Sequence, residues 1–378
     1  MSPRQDEEFM RRALALAARG LGRTSPNPAV GAVLVRGKKI IGEGFHLRAG
    51  LPHAEVAALR RVNGSARGAT LYVNLEPCTH YGRTPPCADA IIAAGIARVV
   101  VGMADPNPVV RGRGVRRLRR AGIDVRTGVL REECERLNED FAVWVRTGRP
   151  FVTLKLAASF DGRIATASGD AKWISGEASR RFVQHLRNHV DAVLVGAETV
   201  RIDDPQLTCR VRGGRDPARV ILDGRLTISP EARVCVQQST APTIVVTTEA
   251  GGGEEKKRVL ERQGVEVWRF PGVNGRVRLR PVLEALGKRG MKHVLIEGGG
   301  QVAAAALAEG VVDKVLFFYG PLLLGGDGRP MVGPMGIERL ADGIRLHTIT
   351  VRRLGGEVVV AGYVGKKGRA HADRSVTG

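Results

Sequence analysis

The chain has 378 residues, of which 43% are hydrophobic and 26% charged, and its net charge is +21. This length accommodates two domains that each bury a core, and the composition is that of a globular chain, which excludes a fibrous or wholly disordered protein. Residues 1–149 carry 25 basic and 14 acidic side chains, a net of +11, and the remainder carries +10, so the positive charge is not gathered in one basic arm. A basic protein of this kind suits phosphorylated, anionic small molecules.

The first residues lack the basic and apolar segments of an export signal, and no apolar stretch approaches the length of a membrane span. The five cysteines are an odd number, and two of them are assigned to a metal site below. We therefore expect no disulfide framework, no membrane partner and a reducing, cytoplasmic location.

Helix and strand patterns alternate through the first half of the chain. The predicted elements are a helix over Asp6–Arg19, a strand over Val30–Val35, a turn over Arg36–Lys39 leading to Ile40, a helix over Ala54–Arg61, a strand over Leu71–Leu75, a helix over Ala88–Ala94, strands over Arg98–Gly102 and Gly122–Val125, and a helix over Arg131–Val145. This alternation predicts an α/β layered domain.

The segment from Arg111 to Arg126 contains seven arginines and is the densest basic cluster, with no aromatic residue that could stack on bases. We favour a solvated helix face over a nucleic-acid patch, and we expect no nucleic-acid partner.

The segment Thr147–Pro150 is the expected boundary, because Gly and Pro interrupt helix and strand there. We predict a first domain over residues 1–147, a second over 150–364 and a disordered basic tail over 365–378. The predicted strands of the second domain are Phe151–Leu156, Ala192–Val195, Val220–Leu222, Thr243–Thr247, Val265–Arg269, Val294–Ile296, Lys314–Tyr319 and Glu357–Val364.

One histidine and two cysteines in the first hundred residues match the ligand set of a catalytic zinc site, namely His53, Cys78 and Cys87. Three protein ligands leave the fourth zinc position for water. We expect all three ligands at or near helix starts, where thiolates are stabilised. Glu55, two residues after the histidine, is then free to move protons in a hydrolytic deamination. The alternative is a structural zinc site, which normally has a fourth protein ligand.

The two halves together resemble the bifunctional deaminase–reductase of riboflavin biosynthesis. In the first half the resemblance lies in the segments Ser25–Gly31, Gly44–His46, His53–Glu55, Glu76–Cys87 and Asp105–Pro108. Eight residues separate the two cysteines, whereas deaminases of nucleic acids and free cytidine carry Pro-Cys-x-x-Cys. The resemblance implies a cytidine-deaminase-like α/β/α fold, with Asn27, His46 and His80 lining a pyrimidine pocket.

In the second half the resemblance lies in Lys155–Arg163, Trp173–Ser175, Arg187, Thr199–Arg210 and Glu297–Gly300. It implies an α/β fold similar to dihydrofolate reductase. By resemblance, NADPH contacts Ala157, Trp173, Thr199, Asp203, Gly224, Gly299, Gly300, Gln301, Val302, Ala303, Ala304 and Ala305. By the same resemblance, the phosphoribosyl substrate contacts Lys155, Ala171, Arg187, Leu207, Arg210 and Glu297. Ala171 stands where many relatives carry serine, so a side-chain hydrogen bond is lost there.

The resemblance implies a two-step enzyme. Zinc-dependent deamination of 2,5-diamino-6-(5-phosphoribosylamino)pyrimidin-4(3H)-one is followed by NADPH-dependent reduction of the ribosyl chain to ribityl, in a protein expected to form a homo-oligomer. Two competing hypotheses are a nucleic-acid-editing zinc deaminase with an appended domain and a zinc-stapled nucleic-acid-binding module. Steep salt dependence of nucleic-acid binding would favour the first of them. Loss of zinc that unfolds the first domain, without any turnover, would favour the second.

Overall fold

The computed structural model describes residues 2–81, 84–171 and 174–365. The chain divides into two compact units. Unit 1 comprises residues 1–150 together with Leu286–Lys292, and unit 2 comprises Phe151–Ala285 and the chain from His293 onward. The predicted tail from residue 366 lies outside the described residues. None of the helices in the described ranges combines the length and apolar character needed to cross a lipid bilayer.

Unit 1 is built on one sheet with helices packed against it. Its helices are α1 (Pro3–Ala18), α2 (Ala54–Leu59), α3 (Cys87–Ala93), α4 (Arg113–Arg120), α5 (Arg131–Leu137) and α6 (Glu139–Thr147). Its strands are β1 (Gly31–Arg36), β2 (Lys39–Phe45), β3 (Thr70–Leu75), β4 (Arg98–Met103) and β5 (Asp124–Thr127). The strand order is β2-β1-β3-β4-β5, with β1 antiparallel to its two neighbours and β3, β4 and β5 parallel. The predicted α/β class of the first half is confirmed.

Two predicted elements of unit 1 differ from the structure. The predicted strand over Gly122–Val125 begins only at Asp124, because Gly122 has φ +81° and forms the turn that ends α4. The predicted helix over Arg131–Val145 is two helices, which meet at the buried Asn138. The Asn138 side chain bonds both the N–H and the C=O of Ala29, a tertiary contact that helical periodicity does not reveal.

A buried ion pair network joins α1 to the sheet of unit 1. The Asp6 carboxylate has no exposed surface and accepts hydrogen bonds from Tyr72 (2.8 Å), from both Nη atoms of Arg98 (2.9 Å each) and from Arg126 (2.7 Å). Burial acts to raise the pKa of Asp6, but these donors outweigh burial and hold the pKa below its usual range.

Unit 2 carries a larger sheet. Its strands are β6 (Phe151–Ser159), β7 (Arg163–Ala165), β8 (Ala192–Gly196), β9 (Ala218–Leu222), β10 (Thr243–Thr248), β11 (Val265–Phe270), β12 (Gly272–Val273), β13 (Arg276–Val277), β14 (His293–Ile296), β15 (Lys314–Gly320), β16 (Arg329–Pro330), β17 (Leu346–Leu354) and β18 (Glu357–Val364). The helices that begin in unit 2 are α7 (Glu177–His189), α8 (Ala197–Asp203), α9 (Arg233–Val236), α10 (Glu254–Arg262), α11 (Leu279–Lys288) and α12 (Gly300–Ala308), with a 3-10 turn at Leu340–Asp342.

Nine of these strands form one mixed sheet in the order β11-β10-β9-β8-β14-β6-β15-β18-β17. The strands from β11 to β15 run parallel, while β18 and β17 are antiparallel to their neighbours. The predicted α/β class of the second half is confirmed. The edge strand β17 was not predicted. Both its faces are exposed over most of its length, so it lacks the alternation of buried and exposed residues that marks a half-buried strand.

Candidate active sites

The three side chains assigned to zinc meet where β3 ends and α2 and α3 begin. The His53 Nδ1 atom lies 3.2 Å from Sγ of Cys87 and 3.6 Å from Sγ of Cys78. All three donor atoms lie within 4.8 Å of one another. Zinc binds imidazole nitrogen at about 2.0–2.1 Å and thiolate at about 2.3 Å. A single ion can therefore contact all three donors, and the residues fit a zinc site with three protein ligands.

The positions of the ligands relative to the helices agree with the sequence prediction for two of the three. His53 is the N-cap of α2, and Cys87 is the first residue of α3. Cys78 instead lies in the segment after β3, and its sulfur accepts the Cys87 backbone N–H at 3.4 Å. Both sulfurs therefore lie at the start of α3. Free backbone N–H groups at a helix start stabilise a thiolate.

The charges of the ligand set suit a divalent metal. Hydrogen bonds from Cys87 and His53 lower the pKa of Cys78 to about 4. The hydrogen bond to Cys78 and burial raise the pKa of Cys87. The two shifts have opposite directions, so this environment favours one thiolate and one protonated thiol in the pair. Metal binding displaces that proton and brings the second negative charge.

Glu55 is buried beside these ligands, with 3% of its surface exposed. Its Oε2 atom has no hydrogen-bond partner among the described residues. Burial is the largest cause that raises the pKa of this carboxyl. A buried carboxyl oxygen without a partner is costly, and a water or substrate group at the metal would satisfy it.

A cavity of about 430 Å³ opens in front of the ligands, and the three residues assigned to pyrimidine binding all line it: Asn27, His46 and His80. Nδ1 of His46 lies 3.2 Å from the Pro52 carbonyl, and Nε2 lies 3.0 Å from Nδ2 of Asn27. The first contact requires Nδ1–H as donor, which leaves Nε2 to accept from the amide. Burial lowers the pKa of His46, and a neutral imidazole fits this arrangement.

Sequence reasoning missed two side chains near this cavity. Thr84 Oγ1 lies 3.4 Å from Nε2 of His53, which leaves Nδ1 as the nitrogen that faces the sulfurs. The buried Lys292 donates to the Asn27 carbonyl at 2.7 Å and lies 3.4 Å from the Asp140 carboxylate. Thr84 could have been suspected from its place between the two cysteines. Lys292 carries no motif and is 265 residues from Asn27 along the chain.

Unit 2 contains two cavities that share Lys155, Asp203 and Glu297. The larger, of about 560 Å³, brings together six residues assigned to NADPH, namely Ala157, Thr199, Asp203, Gly299, Gly300 and Gln301, and also Ala171. The smaller, of about 310 Å³, brings together five residues assigned to the substrate, namely Lys155, Arg187, Leu207, Arg210 and Glu297. The three shared side chains form a charged wall between the two cavities.

Glu297, one of the three residues of the shared wall, forms a bidentate ion pair with Arg187. Nε and Nη2 of Arg187 lie 2.7 Å and 2.9 Å from the two Glu297 oxygens. Burial acts to raise the pKa of Glu297, but Arg187 and Lys155 outweigh it and lower that pKa. Burial and the nearby Arg187 lower the pKa of Lys155. Glu297 of this wall thus lies between Arg187 and Lys155 in a low-dielectric environment.

Helix α12 begins at Gly300, and the glycines before it line the larger cavity. Free backbone N–H groups at a helix start attract an anion such as a diphosphate. Val302–Ala305 continue along α12 beyond the lining residues, and Ala303 and Ala304 are buried.

Two further residues assigned to NADPH lie apart from this cavity. Gly224 lines a separate cavity of about 500 Å³, after the end of β9, together with Arg225, Thr248 and Gly275. Trp173 lies outside the described residues.

Comparison with known proteins covers both units. Residues 3–103 match the family of the cytidine and deoxycytidylate deaminase zinc-binding region, and residues 150–360 match the RibD C-terminal domain. The chain is 44% identical over 356 residues to the riboflavin biosynthesis protein RibD of Aquifex aeolicus, a match that covers 94% of this chain and 97% of the relative. It is 43% identical over 367 residues to the protein of that name in Escherichia coli K12, covering 94% and 98%.

Two solved structures share the whole architecture. The RibD structure of Acinetobacter baumannii superposes with a TM-score of 0.86 at 40% identity and covers 97% of this chain and 100% of that one. A diaminohydroxyphosphoribosylaminopyrimidine deaminase/5-amino-6-(5-phosphoribosylamino)uracil reductase of Thermotoga maritima gives a TM-score of 0.84 at 40% identity, covering 96% and 99%.

Proposed function

The chain belongs to the RibD family of riboflavin biosynthesis, and on that premise we propose how its two units divide the family's two reactions. The protein is a bifunctional enzyme with a zinc-dependent deaminase domain and an NADPH-dependent reductase domain. We assign deamination to residues 1–147 and reduction to residues 150–364. The substrate of the first reaction is 2,5-diamino-6-(5-phosphoribosylamino)pyrimidin-4(3H)-one, and the final product is 5-amino-6-(5-phosphoribitylamino)uracil.

In the deaminase, His53, Cys78 and Cys87 hold zinc, which when bound supplies the Lewis acid that activates water. Glu55 takes a proton from the attacking water and returns it to the departing ammonia, because it lines the cavity beside the ligands and one of its carboxyl oxygens has no other partner among the described residues. Asn27 and His46, fixed by their mutual hydrogen bond, hold the pyrimidine together with His80. The single observation that carries this proposal is the buried Glu55 carboxyl next to three converging zinc donors.

In the reductase, bound NADPH would supply the hydride that reduces C1′ of the ring-opened ribosylamino group. Ala157, Thr199 and the glycine turn before α12 hold the cofactor in the larger cavity. Arg187 and Arg210 line the smaller cavity. Arg210 suits the sugar phosphate, since a guanidinium group can donate parallel hydrogen bonds to it, while Arg187 pairs with Glu297. Lys155 and Asp203 lie in both cavities and orient the sugar at the point of transfer, and Asp203 is the candidate for proton handling.

Product mass tests the assignment. The enzyme is incubated with the phosphoribosylated diaminopyrimidine, with and without NADPH. Replacing an amino group by oxygen adds about one mass unit, and hydride plus proton add about two more, with NADPH required only for the second change. An unchanged mass in both samples would refute the assignment.

The competing hypothesis of a nucleic-acid-editing deaminase with an unrelated appended domain is not supported. The RibD relatives match across both units, and the second unit by itself matches the RibD C-terminal domain. The same matches argue against a non-enzymatic zinc-stapled module.

Substitution of Arg225 tests the place of the adenosine end of NADPH. Arg225 is exposed, lines the cavity that holds Gly224, and makes no ion pair among the described residues. The 2′-phosphate that distinguishes NADPH from NADH is a dianion suited to such a guanidinium. We expect Arg225→Ala to raise the KM for NADPH about tenfold while leaving that for NADH unchanged.

Steady-state kinetics with both cofactors provide the measurement. Arg212→Ala removes another exposed arginine of unit 2, one that lines none of the cavities described above, and should change neither KM. If Arg225→Ala lost affinity for NADPH and NADH equally, Arg225 would not bind the 2′-phosphate of NADPH.

We propose that the enzyme assembles as a homo-oligomer through the edge of the large sheet. Among the described residues, strand β17 has a partner strand on one side only, and Ile349 and Val351 on it are 57% and 64% exposed. An open edge with exposed β-branched residues is a surface that a second copy can cover.

Light scattering after gel filtration tests this interface. The Val351→Lys variant should have half the native mass or less. Thr350→Lys adds the same charge on the opposite face and should keep the native mass. A native mass for Val351→Lys would move the interface elsewhere.

A cytoplasmic location remains a prediction. It is supported by the five cysteines, which are all free thiols, two of them in the candidate zinc site.

A further inference from the structure

A basic cavity lies beside α4 of unit 1 and shares no lining residue with the cavities assigned to the two reactions. It measures about 650 Å³ and is lined by Thr79, Ile92 and four arginines, namely Arg113, Arg116, Arg117 and Arg120. Counted from Arg113, the other three arginines stand three, four and seven residues further along, and this spacing places all four on one face of the helix. We call this group the α4 arginine face.

The charge of the α4 arginine face is largely uncompensated. Arg117 pairs with Asp89 of α3 at 2.5 Å. Arg113, Arg116 and Arg120 are exposed and form no ion pair within the described ranges. Like charges at helical spacings of three and four residues repel one another. An anion that bridges several of these guanidinium groups would relieve that repulsion.

Helix α4 is also held firmly in place, so that the α4 arginine face is not a loose basic arm. The buried Glu76 carboxylate accepts the backbone N–H groups of Gly112 (2.9 Å) and Val115 (3.2 Å). Gly114 packs so closely that a Cβ there would lie 2.0 Å from the Pro77 carbonyl oxygen. Because the helix backbone is fixed, its guanidinium groups bind an anion at a smaller entropic cost than a mobile segment would.

The size and chemistry of the cavity indicate the class of anion. Guanidinium groups bind phosphate oxygens through pairs of parallel hydrogen bonds. The seven-residue interval from Arg113 to Arg120 spans about 10 Å along the helix axis, longer than a single phosphate needs. Among the described residues that line the cavity none is aromatic, whereas sites for single-stranded nucleic acids use aromatic side chains to stack bases. We propose that the α4 arginine face binds a small ligand that carries a diphosphate or triphosphate group.

Titration calorimetry on the full-length enzyme tests this proposal, with inorganic tripolyphosphate, pyrophosphate and orthophosphate as probes. We expect tripolyphosphate to bind at least about tenfold more tightly than orthophosphate. The Arg116→Ala/Arg120→Ala variant should weaken tripolyphosphate binding at least about tenfold. All four substituted positions in this and the control variant are exposed, and circular dichroism confirms that each variant is folded.

The matched control is Arg111→Ala/Arg119→Ala. This variant also removes two positive charges, and it removes them from the same segment of the chain. Neither Arg111 nor Arg119 lines the cavity, and Arg119 donates a hydrogen bond to the Val125 carbonyl. It should retain tripolyphosphate binding within about twofold. Binding of a phosphate probe in unit 2 would be unaffected by either pair of substitutions.

Three outcomes would overturn the proposal. Absence of tripolyphosphate binding at millimolar concentration would remove the site. If both double variants bound tripolyphosphate equally weakly, the loss would reflect only the lower net charge of the protein and not a specific site. A single-stranded oligonucleotide that displaces tripolyphosphate at lower concentration from the wild type, but not from Arg116→Ala/Arg120→Ala, would assign the surface to nucleic acid. None of these outcomes bears on deamination or reduction, because the proposal does not rest on the two activities.

Discussion

Glu55→Gln should abolish ammonia release while zinc stays bound. Glutamine keeps the size of the side chain but cannot carry a proton between water and the leaving amine. Loss of a general acid–base group costs about 10²–10⁴ in rate. Since Glu55 has to act on both water and ammonia, we expect a fall of about a thousandfold or more in kcat. The metal donors belong to three other residues, so the zinc content should remain that of the wild type.

Ammonia release and metal analysis on one preparation provide the measurement. Two controls separate the role of Glu55 from a general loss of structure. Reduction of the deaminated substrate by NADPH should proceed at the wild-type rate, and Glu43→Gln, on β2 and ion-paired with Arg12, should deaminate normally. Wild-type ammonia release in Glu55→Gln would exclude the proposed role, and loss of zinc would make the residue part of the metal site.

Asp6→Ala should destabilise unit 1 by about 3–5 kcal/mol at neutral pH, the usual effect of removing one partner from a buried ion pair. Arg98 and Tyr72 would lose the carboxylate that pairs with them, in a region where Tyr72 has no exposed surface. Hydrogen exchange of β3 and β4 amides in the full-length enzyme reports this local free energy of unfolding. Glu7→Ala, one residue along α1, breaks only an exposed pair with Arg11 and should cost no more than about 1 kcal/mol.

The same experiment has a defined pH dependence. The pKa of Asp6 in the folded protein lies below its value of about 3.9 in an unfolded chain. The stabilisation is therefore fully present above about pH 4 and is lost as the pH falls through the folded-state pKa. The difference between wild type and Asp6→Ala should be constant from pH 5 to pH 8 and shrink below about pH 4. A difference that stayed constant down to pH 2 would mean that burial of the side chain, and not its charge, stabilises the unit.

Sequence patterns were most informative where chemistry and burial are local. The zinc ligands and Glu55 lie within 35 residues of one another, and buried strands such as β3 and β4 appear as apolar runs. The patterns were least informative where a distant residue decides the outcome. Asn138 divides a predicted helix because its amide bonds the backbone of Ala29, and Lys292 reaches Asn27 from far along the chain. No period in the sequence encodes either contact.

Resemblance to a family and geometry contribute differently to the reductase assignments. The family motifs selected Lys155, Arg187 and Glu297, but the motifs do not say which of them touch each other. The structure shows the Arg187–Glu297 pair at 2.7 Å and 2.9 Å, with Lys155 beside it. It also places Ala171 in the larger cavity with Ala157 and Thr199, and not among the lining residues of the smaller one. Such groupings depend on the crossing of strands and helices, which motif spacing does not specify.

The charged wall shared by the two reductase cavities has a thermodynamic consequence. A ligand in either cavity changes the field and the solvation of Lys155, Asp203 and Glu297, and those side chains also face the other ligand. The two binding equilibria are therefore linked, and the linkage is reciprocal. If the bound cofactor changes the dissociation constant of the sugar phosphate by some factor, the bound sugar phosphate changes the dissociation constant of the cofactor by the same factor. If the nicotinamide ring binds next to this wall, its oxidation would add a positive charge there. The two redox forms of the cofactor should thus differ in their coupling to the sugar, which gives the enzyme an electrostatic means of distinguishing the complex before hydride transfer from the complex after it.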